Sequence, residues 1–107
     1  MRLSIVEVCL PPTTLLTVAG ELDLAAAGEL ERAVSICIAA GNHDVALDLT
    51  GVVFMDSSGI HALSISQRVV SAGGGRLRVV ALSPSVERIL VPSYLRRLLT
   101  VGTLLAS

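Results

Sequence analysis

Two short segments of the sequence place carboxylate, hydroxyl and glycine residues next to one another. They are Gly20-Glu21-Leu22-Asp23 and Asp56-Ser57-Ser58-Gly59. A serine hydroxyl can act as a nucleophile when a base takes its proton, and serine or aspartate side chains can accept hydrogen bonds from the free N–H groups at a helix start. Taken alone, each segment is typical of a helix start, where N–H groups lack partners within the helix. The carboxylates also interact favourably with the positive end of the helix dipole.

His61 is the nearest residue in the sequence that could serve as a base for Ser57. It follows Ser57 by about one helical turn, so the two side chains could face each other. The segment lacks the G-x-S-x-G pattern of a nucleophile elbow. An incidental surface histidine is the simpler interpretation, and we expect neither enzymatic activity nor a catalytic residue.

The cysteines and histidines do not form a metal-binding pattern. Cys9 and Cys37 lie far apart in apolar segments, which predicts small buried side chains and not a disulfide or a metal site. His43 and His61 have no nearby pair of ligands. The glycines at 73–75 follow a predicted helix, so they suit its C-terminus better than a phosphate-binding loop. We therefore expect no metal and no cofactor.

Length and composition predict one domain over residues 1–107, with a single core. The chain is 52% hydrophobic, yet no uninterrupted apolar stretch approaches the ~18 residues of a membrane span. The N-terminus is also a poor signal peptide, so we expect a cytoplasmic protein. All eight basic residues are arginines, the net charge is −1, and only Phe54 and Tyr94 are aromatic. These values argue against nucleic-acid binding.

The positions of the apolar residues predict an α/β domain with the element order β-β-α-β-α-β-α. Strands are predicted at 3–10, 15–19, 45–49 and 76–82, with a further short strand at 98–101. Helices are predicted at about 24–40, 58–71 and 83–91. Because right-handed crossovers join parallel strands, we expect a mixed central β-sheet with the helices mainly on one face.

The two polar segments follow successive parallel strands of this predicted sheet. Adjacent parallel strands place the loops at their carboxyl ends on the same edge of a sheet, where α/β proteins commonly have their sites. We therefore expect the acidic groups of 20–23 and the hydroxyls of 56–59 to cluster at one edge.

In combination, three segments of the chain resemble a known family. They read Gly-Glu-Leu-Asp at 20–23, Leu-Asp-Leu at 47–49 and Phe-Met-Asp-Ser-Ser-Gly-Ile at 54–60. This pattern resembles the STAS-domain family, and most of all the small, free-standing anti-sigma factor antagonists of bacteria. The resemblance extends from about residue 3 to residue 90 and implies a single-domain STAS-like fold.

The resemblance implies a binding module that is switched by phosphorylation. In the family, an anti-sigma factor that is also a serine kinase phosphorylates the serine after the motif aspartate, and a protein serine phosphatase reverses the reaction. The unphosphorylated form binds the anti-sigma factor and releases the sigma factor. In this sequence the acceptor is Ser57, and Asp56 resembles the family residue that helps to position its hydroxyl.

The same resemblance implies which residues meet the partner. Gly59 permits close backbone approach at the helix start, and Ser58 supplies a second hydroxyl. His61 departs from the small or aliphatic residue that is commoner in the family, and we expect it to be exposed. The predicted partner-binding surface comprises Glu21, Asp23, Asp56, Ser57, Ser58, Gly59 and His61.

The end of the sequence leaves the identity of the partner open. Val91-Pro92-Ser93-Tyr94 and the short hydrophobic tail at 95–107 replace the usual final pattern of the family, so we expect its last helix to be missing or remodelled. The alternatives to an antagonist are a STAS module of a transport complex or stressosome-like scaffold, and a nucleotide-binding STAS protein. We expect a monomer or a weak dimer.

Overall fold

The computed structural model describes residues 2–90 and 100–101. The strands are β1 (Ser4–Leu10), β2 (Thr13–Leu22), β3 (Asp44–Met55), β4 (Arg76–Leu82) and β5 (Thr100–Val101). The helices are α1 (Leu24–Ala39), α2 (Ser57–Ala72) and α3 (Pro84–Leu90). The predicted order β-β-α-β-α-β-α is confirmed, and the two-residue β5 follows it.

The strands form one mixed sheet in the order β1-β2-β3-β4-β5. β1 and β2 are an antiparallel hairpin that turns at Pro11-Pro12. Proline has no N–H to donate to a ladder, which explains why β1 ends there. β2, β3, β4 and β5 are parallel to one another, so their carboxyl ends lie at one edge.

The hydrophobic core lies between the sheet and the helices. Every second residue of β2 is buried, which is the pattern of a strand with one face against a core. One cluster of buried side chains joins β2, β3 and β4 to all three helices, and it includes Leu16 and Leu22 of β2, Leu30 of α1, Leu63 of α2 and Val86 of α3. The helices therefore lie mainly on one face of the sheet, as predicted.

Local polar groups set the predicted helix ends. Ser83 Oγ accepts a hydrogen bond from the Val86 N–H at 3.2 Å, and Pro84 is the first residue of α3. At the end of α2, the Gly73 N–H donates to the Val69 carbonyl oxygen. The glycines at 73–75 thus follow the end of α2, as the sequence predicts.

β2 and β3 both extend beyond their predicted ends. β2 continues to Leu22, and β3 runs through Gly51 to Met55. The two strands pair with each other along this extra length, and irregularities in register accommodate residues that usually end strands. Gly20 has a φ of 106°, and a Cβ there would overlap the carbonyl oxygen of Arg2. Glycine is therefore required at that position.

The two cysteines differ in exposure. Cys37 is buried, as predicted, but Cys9 is exposed, so the prediction that Cys9 is a buried side chain is wrong. Cys9 lies on β1, which is at the edge of the sheet, and an edge strand is covered on fewer sides than a central one. Burial and the nearby carboxylate of Glu7 raise the pKa of the Cys37 thiol above its ordinary value.

An ion pair joins the central strands near their amino ends. The Arg78 guanidinium donates to both carboxylate oxygens of Asp44, at 3.2 and 2.9 Å, and to Thr13 Oγ1 at 3.3 Å. The Arg78 side chain is only 5% exposed. Because Thr13, Asp44 and Arg78 belong to β2, β3 and β4, this cluster holds three neighbouring strands together.

Two further observations concern the described ranges 2–90 and 100–101. None of their helices is long and apolar enough to cross a membrane. None of their groups of His, Cys, Asp and Glu side chains could hold a metal ion. The segment 91–94 and most of the tail at 95–107 lie outside the described residues, as do residues 98–99 of the last predicted strand.

Candidate functional site

The carboxyl ends of β2 and β3 lie side by side at one edge of the sheet. In their parallel pairing, Glu21 is opposite Phe54 and Leu22 is opposite Met55. The segments 20–23 and 56–59 therefore lie at the same edge, which confirms the prediction from strand order. Each segment leads into a helix, so the N-termini of α1 and α2 are neighbours.

Asp56 caps the start of α2. Its Oδ1 atom accepts hydrogen bonds from the backbone N–H groups of Ser58, at 2.9 Å, and Gly59, at 3.3 Å. A helix start leaves such N–H groups without a partner in the helix, so the carboxylate satisfies them. Asp56 thus positions Ser57 through the backbone that carries it.

Asp23 caps α1 in the same way. Its Oδ1 atom accepts a hydrogen bond from the Ala26 N–H at 3.1 Å. The negative charge of each cap lies at the positive end of a helix dipole, which is favourable. The edge therefore carries two capping carboxylates, and the expectation that these acids suit helix starts is confirmed.

Gly59 packs tightly against the end of β2. A Cβ atom at this position would lie 2.6 Å from the carbonyl oxygen of Leu22 and 2.7 Å from Cγ of Met55. Both distances are too short for real contacts, so a side chain would force the helix away from the strand. The predicted close approach of the backbone is confirmed, and it fixes the position of α2 relative to β2.

Ser57 is the first residue of α2, and its side chain is exposed. Ser58 follows it and is half-buried. Among the described residues, the Ser57 hydroxyl has no hydrogen-bond partner. The hydroxyl is therefore accessible to a second protein, while the helix start is held by Asp56.

His61 lies one turn after Ser57 on α2 and is exposed, as expected. Both residues line a groove of about 410 Å³ between α1 and α2, which we call the α1–α2 groove. Within the part of the chain that the structure describes, no hydrogen bond joins His61 to Ser57. The groove brings Ser57, Ser58 and His61 onto one surface.

The other wall of the α1–α2 groove was not identified from the sequence. It is formed by Leu24, Ala27, Gly28 and Glu31 of α1. Sequence analysis assigned these residues only to a helix. Their spacing places them on one helix face, and a large apolar residue directly after a capping aspartate is the signal that could have identified them.

A second groove, of about 270 Å³, lies on the opposite side of the first turns of α1. Among the residues that the structure describes, its charged lining consists of the carboxylates of Glu21, Asp23 and Glu29 and the guanidinium of Arg2. The predicted acidic residues Glu21 and Asp23 thus border this groove, whereas the serines border the other. Asp56 and Gly59 lie in the segment that starts α2.

Comparison with known proteins identifies the family. A family model for the STAS domain matches residues 5–105, which is most of the chain. The chain therefore belongs to the STAS domain family. No curated protein sequence matches it.

Solved structures of anti-sigma factor antagonists have the same fold. One from Mycobacterium paratuberculosis has a TM-score of 0.82 at 22% identity, covering 95% of this chain and 86% of that one. SpoIIAA in its unphosphorylated form has a TM-score of 0.66 at 24% identity, covering 86% and 84% of the two chains. The Bacillus cell fate determinant SpoIIAA in its phosphorylated form has a TM-score of 0.69 at 24% identity, covering 95% and 92%. At these identities the similarity establishes the fold.

Proposed function

We propose that this chain is an anti-sigma factor antagonist that is switched by phosphorylation of Ser57. In its unphosphorylated form it binds a cognate anti-sigma factor that is also a serine kinase, and the sigma factor is released. Phosphorylation of Ser57 by that kinase weakens the complex, and a protein serine phosphatase restores binding. In this scheme the chain is a binding module and not an enzyme.

The exposed hydroxyl of Ser57 at the first position of α2 is the observation that carries the proposal. A kinase needs access to the hydroxyl, and the first position of a helix at the edge of a sheet provides it. The cap of α2 is made by Asp56 and not by Ser57. A modification of the Ser57 hydroxyl therefore leaves the capping hydrogen bonds in place.

The charges near Ser57 support an effect of phosphate on binding. A phosphate adds about 1.5 to 2 negative charges at pH 7. A helix start usually favours an anion, but Asp56 already accepts hydrogen bonds from the N–H groups of Ser58 and Gly59. Asp23 adds a second carboxylate at the same edge. The phosphate would therefore increase an existing negative charge that the partner must accommodate or desolvate.

Similarity to SpoIIAA in both states supports a switch that keeps the fold. This chain matches the unphosphorylated form with a TM-score of 0.66 and the phosphorylated form with a TM-score of 0.69. We infer that the phosphate acts mainly at the partner interface. An unfavourable contribution of ~1–3 kcal/mol there would lower the affinity by about 5- to 150-fold.

Phosphopeptide mapping tests the proposed acceptor. The purified chain is incubated with ATP and an anti-sigma factor kinase from the same organism, and the modified peptide is sequenced by mass spectrometry. We expect one phosphate, on Ser57, and none on Ser57→Ala. Ser58→Ala is the matched control, because it removes the adjacent hydroxyl, and it should be phosphorylated like wild type. Unchanged phosphorylation of Ser57→Ala would refute the assignment.

A further inference from the structure

The α1–α2 groove has two facing walls with the same spacing of residues. On α1, Leu24 and Gly28 are one turn apart, and on α2 Ser57 and His61 are one turn apart. Glu31 continues the α1 wall. The phosphoacceptor of the proposed function therefore faces a defined surface of another helix. A partner that contacts Ser57 would meet this wall of α1 as well.

Gly28 is not explained by the packing of α1. Glycine in the middle of a helix is less favourable than alanine, because it loses more backbone entropy on folding. A Cβ atom at Gly28 would have no other atom within 4 Å, so no neighbouring group excludes a side chain. A side chain there would extend into the α1–α2 groove. The glycine is explained if a second molecule occupies that space.

Leu24 supplies an exposed apolar contact in the same groove. Its side chain is 78% exposed, the largest value among the exposed large hydrophobic residues that the structure describes. It is the first residue of α1, directly after the capping Asp23, so its backbone position is well defined. An exposed apolar side chain at the rim of a groove is typical of a protein contact.

The charges around Leu24 indicate the chemistry of the partner. Glu31 borders the α1–α2 groove, and the carboxylates of Glu21, Asp23 and Glu29 border the second groove. Among residues 2–90 and 100–101, Arg2 is the one arginine that lines either groove, so the described lining of the two grooves carries more carboxylates than guanidinium groups. A complementary partner carries basic residues opposite the second groove, away from Ser57, and an apolar side chain opposite Leu24.

We propose that the α1–α2 groove receives an apolar side chain of the anti-sigma factor, while Lys or Arg residues of the same protein face the second groove, on the side of α1 away from Ser57. Leu24 is the apolar contact on this chain, and Gly28 keeps the groove open to Ser57. This inference rests on the proposed function, because the occupant is the same protein that phosphorylates Ser57. It adds a face of α1 to the residues expected at the interface.

Calorimetric titration with the anti-sigma factor kinase of the same organism tests the inference. Gly28→Leu fills the groove and Leu24→Ala removes the apolar contact, and each should raise Kd by roughly 10-fold or more. Glu29→Gln should have a smaller effect and should weaken the dependence of Kd on ionic strength, because Glu29 is an exposed carboxylate of the second groove. Ser35→Leu is the matched control, since it adds the same side chain at an exposed position two turns further along the same face. It should bind like wild type.

Thermal unfolding followed by circular dichroism separates loss of binding from loss of fold. Gly28→Leu should melt at or above the temperature of wild type, because leucine favours helices and the space is open. Equal Kd values for Gly28→Leu, Leu24→Ala and wild type would overturn this inference and leave the proposed function intact. A loss of affinity in Ser35→Leu as large as in Gly28→Leu would also overturn it. Failure of wild type to bind would overturn both.

Discussion

The carbonyl oxygen of Leu22 lies in the space that a side chain on Gly59 would need. Leu22 ends β2, Gly59 is in the first turn of α2, and a Cβ on Gly59 would come within 2.6 Å of that oxygen. The contact holds the start of α2 against the strand that leads into α1. Ser57 is two residues before the contact, so its position beside α1 depends on it.

Substitution of glycines on the two helices tests this packing. Gly59→Ala should lower the free energy of unfolding by about 1–3 kcal/mol, because the added methyl group forces the backbone to shift. Gly28→Ala is the matched control, since its Cβ meets no atom within 4 Å. It should raise the free energy of unfolding by about 0.5–1 kcal/mol. Urea unfolding measures both values, and effects of the same sign would contradict the close contact at Gly59.

The capping role of Asp56 can be separated from its charge. Asp56→Ala should lower the free energy of unfolding by about 0.5–2 kcal/mol, because the N–H groups of Ser58 and Gly59 lose their acceptor. Asp56→Asn keeps an acceptor oxygen, so its free energy of unfolding should fall much less than that of Asp56→Ala. Equilibrium unfolding in urea distinguishes the two variants. An equal loss in both would indicate that the negative charge stabilises the helix more than the capping hydrogen bonds do.

The ion pair of Asp44 and Arg78 should contribute strongly to stability. Asp44→Ala leaves the Arg78 guanidinium, in a side chain that is 5% exposed, without its carboxylate. The expected loss is about 3–5 kcal/mol of unfolding free energy. Arg76→Ala is the control, because Arg76 Nε is 4.0 Å from Asp44 Oδ1 and its side chain is 62% exposed. This substitution should change the free energy of unfolding by less than about 1 kcal/mol. Similar losses in the two variants, measured by chemical unfolding, would argue against a special role for the pair.

The two thiols should differ in reactivity. Cys9 is exposed, whereas burial and the carboxylate of Glu7 raise the pKa of the buried Cys37. The thiolate is the reactive form of a cysteine. A disulfide reagent should therefore modify one thiol of the native protein quickly, and Cys9→Ser should abolish this fast reaction. Because the pKa of Cys37 is raised, any reaction there should become faster as the pH increases. Two equally fast thiols in the native state would contradict the buried position of Cys37.

The sequence predicts the element order and the edge of the site, because both follow from local patterns and from the rule that parallel strands end together. It also predicts the cap of α2, since the side chain of an aspartate acts on N–H groups within its own turn. The full length of β2 and β3 could not be predicted, because residues such as Gly20 and Gly51 stay in strands only through pairing with a neighbour. The exposure of Cys9 depends on β1 being an edge strand, which no local pattern reveals.

The α1 residues of the α1–α2 groove were missed for a related reason. Leu24 and Gly28 look like ordinary helix residues until α2 is placed beside them. Ser57 was predicted from a resemblance carried by three short segments, whereas its surroundings include α1 residues that no motif marks. The motif therefore indicates where a site lies, and the packing of the helices determines what the site can accommodate.

Calorimetric titration of three forms of the chain against the anti-sigma factor kinase tests the central proposal most directly. The forms are wild type, Ser57→Ala and Ser57→Asp. Ser57→Asp should bind more weakly while its melting temperature stays close to that of wild type, because an added carboxylate is acceptable at the exposed start of α2. Its single charge makes the effect smaller than that of phosphate. Ser57→Ala should bind like wild type and should no longer be switched off by ATP. Equal affinities of Ser57→Asp and wild type, with binding of both unaffected by ATP, would contradict a phosphorylation switch at Ser57.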